Sequence, residues 1–216
     1  MLQIVNHEKI ITNAFPMDVM RQMSAGINLA YSCADQLVDG NEILNWTVGR
    51  EFLGYFRNIA VEFQLKRLIE TTNCGLSYRL APNRAHNYQH VEILSQDCVM
   101  TISQVHSKYA YPREAKYRNA LASNNQIIFN EFQENDDDVI NHYLILTHGT
   151  MRNELWQEPD FIGIGYPTAE CNGWNAFLDL TTCDNDGLII EDSSLKDAEA
   201  ALKIELETAI ATIKNA

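Results

Sequence analysis

The residues best suited to acid–base chemistry lie on two consecutive predicted strands. His90 and Glu92 are two positions apart, so both side chains point to the same face of their strand. A hairpin that turns at residues 96–97 places Thr101 and Ser103 opposite them. An imidazole beside a carboxylate, with hydroxyl groups nearby, can act as a general base. The pattern therefore offers His90 as the base of a hydrolase or nuclease, oriented by Glu92.

The same hairpin register predicts one apolar and one polar face for this part of the sheet. Ile93 lies opposite Met100 on the apolar face, and the face with the imidazole and the carboxylate is expected to lie against water. Arg79 joins the polar face if its strand pairs alongside, and either Arg79 or Arg84 would then hold a phosphate. Polar side chains are equally typical of an ordinary solvent-facing sheet, so both interpretations stay open.

A further histidine, His148, ends an apolar predicted strand beside Gly149 and is another candidate site residue. His142 lies six residues earlier on the same face, so at about 3.3 Å per residue the two are roughly 20 Å apart and cannot share a metal ion. The sequence contains no phosphate-binding loop, nucleophile elbow or His-Glu-x-x-His motif, and its cysteines do not have zinc-ligand spacing. We therefore expect neither a metal nor a cofactor.

The middle of the chain differs in charge from the rest. Residues 48–118 contain ten basic and six acidic side chains, a net charge of +4, whereas residues 119–216 contain four basic and eighteen acidic ones, a net charge of −14. Interleaved with tyrosines, the basic residues could contact nucleic acid by charge and stacking. They could equally pair with the acidic part, within one chain or between two copies. The candidate binding residues are Arg79, Arg84, Lys108, Arg113, Lys116 and Arg118.

Three functional hypotheses follow from these patterns. Because no catalytic signature is present and the charges are segregated, we expect a non-catalytic binding protein that acts through a protein partner or as a homodimer, alone or in a larger assembly. A hydrolase or nuclease that uses the polar sheet face is the first alternative. A nucleic-acid-contacting accessory protein is the second.

The periodicities predict an α+β fold with the element order α-α-β-β-β-α-β-β-β-α. Only one helix interrupts the six strands, so we expect a largely antiparallel sheet of about six strands, covered on one face by helices. A single domain over residues 1–216 then contains a helical hairpin in residues 1–74, the sheet in residues 75–192 and a C-terminal helix in residues 193–216.

Two details of this fold can be tested directly. The second helix, residues 48–71, has an apolar stripe that is expected to face the core and consists of Phe52, Tyr55, Phe56, Ile59, Ala60 and Phe63. On a later strand, Gly163 and Gly165 predict a smooth surface on which another side chain can lie.

The composition excludes some classes of protein. With 46% hydrophobic and 21% charged residues, the 216-residue chain resembles ordinary globular domains. No apolar run approaches the roughly 18 residues that span a bilayer, so no membrane partner is expected. The five widely spaced cysteines are typical of buried thiols in a reducing compartment. These features predict a soluble, acidic, cytoplasmic protein.

Overall fold

The computed structural model describes residues 6–83, 86, 88–125, 142–151, 158–181 and 204. Its helices are α1 (His7–Ala14), α2 (Met17–Asp39), α3 (Thr47–Arg50), α4 (Leu53–Thr71) and α5 (Lys116–Ala122), the last followed by a 3-10 turn at Ser123–Asn125. Its strands are β1 (Ser77–Pro82), β2 (Gln89–Ser95), β3 (Cys98–Gln104), β4 (His142–Gly149), β5 (Phe161–Pro167) and β6 (Trp174–Asp179). The predicted C-terminal helix lies outside the described residues, apart from Ile204, which is helical.

The six strands form one sheet in which the spatial order equals the sequence order. All neighbours pair antiparallel except β3 and β4, which are parallel because α5 lies between them in the chain. The predicted α+β class, with N-terminal helices and a largely antiparallel six-stranded sheet, is confirmed.

The predicted register of the β2–β3 hairpin is confirmed from Glu92 to the turn. In the β2–β3 hairpin, Glu92 pairs with Thr101 and Ile93 pairs with Met100. In the β5–β6 hairpin, Ile164 pairs with Leu178 on the core side. On the opposite side of β5, a Cβ atom at Gly163 or Gly165 would overlap the rings of Phe177 and Trp174, which lie flat on the strand as the glycines predict.

Helices α1, α2 and α4 cover one face of the sheet. Asp35 contacts Arg57, and Gly26 lies beside Gln64, so α2 and α4 form an antiparallel hairpin. The core between helices and sheet is built from fully buried side chains that include Met20, Met23, Ile27, Ile93, Met100, Leu144 and Ile164. Burial of so many apolar side chains is the main force that holds the hairpin on the sheet.

The opposite face of the sheet is buried as well, which corrects the expectation that it lies against water. Val99, Tyr143 and Ile145 pack there against Ala122 of α5. The polar residues of this face are consequently buried too, namely His90, Glu92, Thr101 and Ser103. The apolar side chains on both faces of β4 are typical of a strand that is covered on both sides, and Tyr117 of α5 stacks on His90 itself. Alternation in β2 and β3 alone does not reveal this cover.

Helix α4 is rotated relative to the expected orientation. It buries Leu53, Arg57, Ala60, Val61 and Leu65, so only Ala60 of the predicted stripe is fully inside. Phe52, Tyr55 and Ile59 are exposed instead. The prediction of a core-facing stripe is therefore wrong at these three positions, because α4 has apolar residues on several sides and Arg57 turns inward to pair with Asp35.

Candidate functional site

The predicted acid–base residues do come together. The Nε2 atom of His90 lies 3.2 Å from Oε1 of Glu92, and Nε of Arg79 lies 2.6 Å from Oε2 of the same carboxylate. Burial by itself raises the pKa of Glu92, but the hydrogen bonds from His90 and Arg79 outweigh burial and hold it below the ordinary value. An ionised carboxylate only accepts hydrogen bonds, so Nε2 of His90 donates, and in a neutral imidazole Nδ1 would then carry the lone pair.

The imidazole of His90 is covered by α5. The ring of Tyr117 stacks on it with centroids 4.0 Å apart. Arg118 holds this cover in place, because its Nη1 atom donates to Oγ of Ser103 at 3.0 Å and to the Tyr117 hydroxyl at 2.6 Å. Within the described part of the chain, Nδ1 of His90 and Nε of Arg118 are buried without a hydrogen-bond partner. The base is thus oriented but shielded from solvent.

A second carboxylate approaches the same site from α4. The paired part of β2 and β3 ends at Glu92. At the adjacent residue of β2, the backbone N–H of Val91 donates to the carboxylate of Glu62. Asn58 also donates to Glu62 at 3.0 Å. Burial raises the pKa of Glu62 and raises that of its neighbour Tyr88 to about 12. We call the whole group the polar cluster, which consists of Glu62, Arg79, Tyr88, His90, Glu92, Ser103, Tyr117 and Arg118.

His148 lies elsewhere, on the helix-covered face, and is completely buried. The Tyr31 hydroxyl and Nδ1 of His148 are joined by a hydrogen bond of 2.8 Å, and burial raises the pKa of Tyr31. The guanidinium of Arg57 lies 5.0 Å from the Tyr31 ring centroid. Burial lowers the pKa of His148 to about 3, and its Nε2 atom has no hydrogen-bond partner among the described residues. Its surroundings among the described residues are those of a core residue.

The candidate basic residues are dispersed. Lys108 pairs with Asp179 of β6, which is four strands and so about 19 Å from β2, the strand that carries His90 and Glu92. Arg113 and Lys116 are exposed near α5. Arg84 lies outside the described residues. The Lys108–Asp179 pair is one instance of the predicted pairing between the basic middle and the acidic part of the chain.

Sequence reasoning missed a second feature, an exposed apolar surface formed by the turn after α2, by α3 and by the start of α4. Phe52, Tyr55 and Ile59 occupy one side of α4 at helical spacing, and the rings of Phe52 and Tyr55 have centroids 6.1 Å apart. The apolar surface consists of Ile43, Trp46, Val48, Phe52, Tyr55 and Ile59. An available signal was the number of apolar residues around α4, which exceeds what one buried face can accommodate.

The apolar surface is held together by short contacts. The Cα of Gly49 lies so close to the backbone of residues 43–44 that no Cβ would fit, which fixes this turn against α3. Nε of Arg50 donates to Asn45 at 2.9 Å, and the same guanidinium pairs with Asp39. These contacts order the turn after α2 and α3 immediately before α4 in the chain.

The apolar surface is large for a protein of this size. Tyr55 is 69%, Trp46 57% and Phe52 52% exposed. Since a fully buried aromatic side chain removes about 150–250 Å² from water, the six side chains together present on the order of 600 Å². That is the upper end of the roughly 300–600 Å² typical of the largest patch on a monomer, and such patches often mark interaction sites.

Among the described residues, no group of three or more histidine, cysteine or acidic side chains could hold a metal ion. The part of the chain that the structure describes also contains no helix long and apolar enough to cross a membrane. Comparisons with models of known protein families, with curated proteins and with solved structures find no match for this chain. The function is therefore inferred from the contacts of the chain itself.

Proposed function

We propose that this chain is a non-catalytic binding protein that associates with another protein chain through the apolar surface. The supporting observation is that three aromatic side chains within residues 46–55, namely Trp46, Phe52 and Tyr55, are more than half exposed. Exposed aromatic residues are the commonest energetic centres of protein interfaces. The pairing of Lys108 with Asp179 and of Arg79 with Glu92 leaves less free positive charge for nucleic acid. We also propose a cytoplasmic location, since none of the four described cysteines forms a disulfide bond.

Removing two of the aromatic anchors should release the chain from its assembly. In native cell extract, the tagged wild-type chain is expected to elute well above monomer size, whereas the Trp46→Ser/Tyr55→Ser double variant is expected to elute as a monomer. The matched control is Tyr109→Ser, because Tyr109 is 66% exposed but lies across the sheet beside Phe177. Size-exclusion chromatography with detection of the tag measures this. A wild-type chain at monomer size, or equal elution of all three chains, would contradict the proposal.

A second candidate function is hydrolysis at the polar cluster. The observation that favours it is the His90–Glu92 contact, which orients the imidazole and leaves its Nδ1 atom without a hydrogen-bond partner among the described residues. Since Nδ1 is buried and the Tyr117 ring stacks on the imidazole, a substrate could reach this nitrogen only after the side chains around it had moved. This requirement makes catalysis the weaker of the two proposals.

Catalysis by His90 has a direct test. If His90 is the base, His90→Ala and Glu92→Gln are expected to lower the hydrolysis of p-nitrophenyl phosphate or of a single-stranded oligonucleotide by at least about 100-fold. The His106→Ala variant, at an exposed position, serves as the control. Retained activity in both cluster variants, or no activity in the wild-type chain, would eliminate the polar cluster as a hydrolytic site.

A further inference from the structure

We propose that the partner at the apolar surface is a second copy of this chain, bound by a two-fold axis that sets the two α4 helices antiparallel. This inference rests on the proposed function and adds the identity of the partner. In a two-fold interface the same residues serve both sides, so the surface must complement itself. The shape, charge and size of the apolar surface each meet this requirement.

The shape of the surface suits a helix-to-helix contact. Phe52, Tyr55 and Ile59 follow one side of α4 over two turns, about 10 Å along the axis. A narrow apolar stripe of this kind packs against a second helix by inserting its side chains between those of the partner. With the axis near the middle of the stripe, Tyr55 of each copy lies beside Ile59 of the second copy.

The charges at the two ends of the stripe favour the antiparallel direction. Lys66 lies two turns beyond Ile59 on the same side of α4, and Glu51 is exposed immediately before Phe52. With Tyr55 beside Ile59, an antiparallel arrangement places Lys66 of each copy level with Val48 of the second copy, three residues or about 4.5 Å along the axis from Glu51. The lysine side chain is long enough to span this offset. Within its own chain, its ammonium group lies 3.5 Å from the carboxylate of Glu70. A parallel arrangement would instead bring the two Lys66 side chains together. Opposed charges at an interface border select orientation in this way.

The size of the surface is sufficient for a dimer that dissociates on dilution. Two faces of on the order of 600 Å² remove about 1,200 Å² from solvent in total, the lower limit of standard interfaces. The partner must contribute apolar area of its own to reach this value. A second copy of the chain supplies that area with the same six side chains.

Sedimentation equilibrium of the purified chain over a range of concentrations tests the dimer. The wild-type chain is expected to convert from monomer to dimer, and Tyr55→Ser is expected to raise the dissociation constant at least about 30-fold, as loss of an interface anchor does. Tyr109→Ser should leave the dissociation constant unchanged. Circular dichroism of every variant should match the wild type, because all the substituted side chains are on the surface.

Charge reversal tests the direction of the helices. Lys66→Glu and Glu51→Lys are each expected to raise the dissociation constant about 3- to 10-fold, and the double variant in one chain should return it to near the wild-type value. A double variant no better than the single ones would overturn the antiparallel arrangement. A pure chain that stays monomeric at all concentrations would overturn the dimer. If that chain still ran in a larger assembly in extract, and Trp46→Ser/Tyr55→Ser abolished it, the proposed function would stand with a different protein as partner.

Discussion

The free energy of unfolding is expected to fall by about 1.4 kcal/mol for each pH unit between about pH 6.5 and pH 3 because of His148 alone. In the folded chain, burial lowers the pKa of this imidazole from 6.5 to about 3. The unfolded chain has the ordinary value and binds a proton throughout this range, whereas the folded chain does not. The contribution of His148 to the free energy of unfolding is therefore fully present above about pH 6.5 and is lost as the pH falls towards 3.

Urea denaturation of the wild type and of His148→Gln from pH 7 to pH 4 measures this effect. The free energy of unfolding of the wild type should fall by about 3 kcal/mol more than that of the variant between pH 7 and pH 4. His106→Gln, at an exposed histidine, is the control and should follow the wild-type profile. Parallel profiles for the wild type and His148→Gln would show that His148 accepts a proton in the folded chain.

Replacing Arg57 with Met is expected to lower the free energy of unfolding by about 3–5 kcal/mol. Arg57 donates from Nε and Nη2 to the two oxygens of Asp35 at 2.9 Å each, and both side chains are nearly closed to solvent. Without the guanidinium, the buried carboxylate of Asp35 between α2 and α4 would lose this ion-pair partner, and its charge would be left uncompensated. The loss should weaken the helical hairpin and, through Tyr31, the surroundings of His148.

The double variant Asp35→Leu/Arg57→Met separates the contribution of the ion pair to stability from that of side-chain packing. Because an apolar pair removes the uncompensated charge, the double variant should be more stable than Arg57→Met alone. Guanidinium denaturation of the wild type, Arg57→Met, Asp35→Leu and the double variant gives the coupling energy. A coupling energy near zero would mean that the two side chains act independently.

The local part of the fold could be predicted from the sequence. The alternation of apolar and polar residues predicted which residues of β2 and β3 pair. A shift of the register by one residue would exchange the two faces of a strand. The two glycines of β5 indicated the rings that lie on them, since only a strand without Cβ atoms admits such close contact. In the candidate site, the same alternation brought His90, Glu92 and Arg79 together.

The features of the fold and of the candidate site that could not be predicted depend on contacts between distant parts of the chain. The burial of His90 results from Tyr117, and the environment of His148 results from Tyr31, more than a hundred residues away. The orientation of α4 depends on the inward position of Arg57, which no periodicity of apolar residues indicates. Glu62 enters the polar cluster through the same orientation. Short-range patterns do not contain this information.

Oxidative footprinting of side chains by hydroxyl radicals tests the use of the apolar surface most directly. The chain is labelled in its native assembly and again after dissociation, and the modification of Trp46, Phe52 and Tyr55 is compared with that of Tyr109 by mass spectrometry. We expect the three aromatic residues to be protected several-fold in the assembly and Tyr109 to be equally modified in both states. Equal modification of all four residues in both states would contradict the proposal that this surface binds another chain.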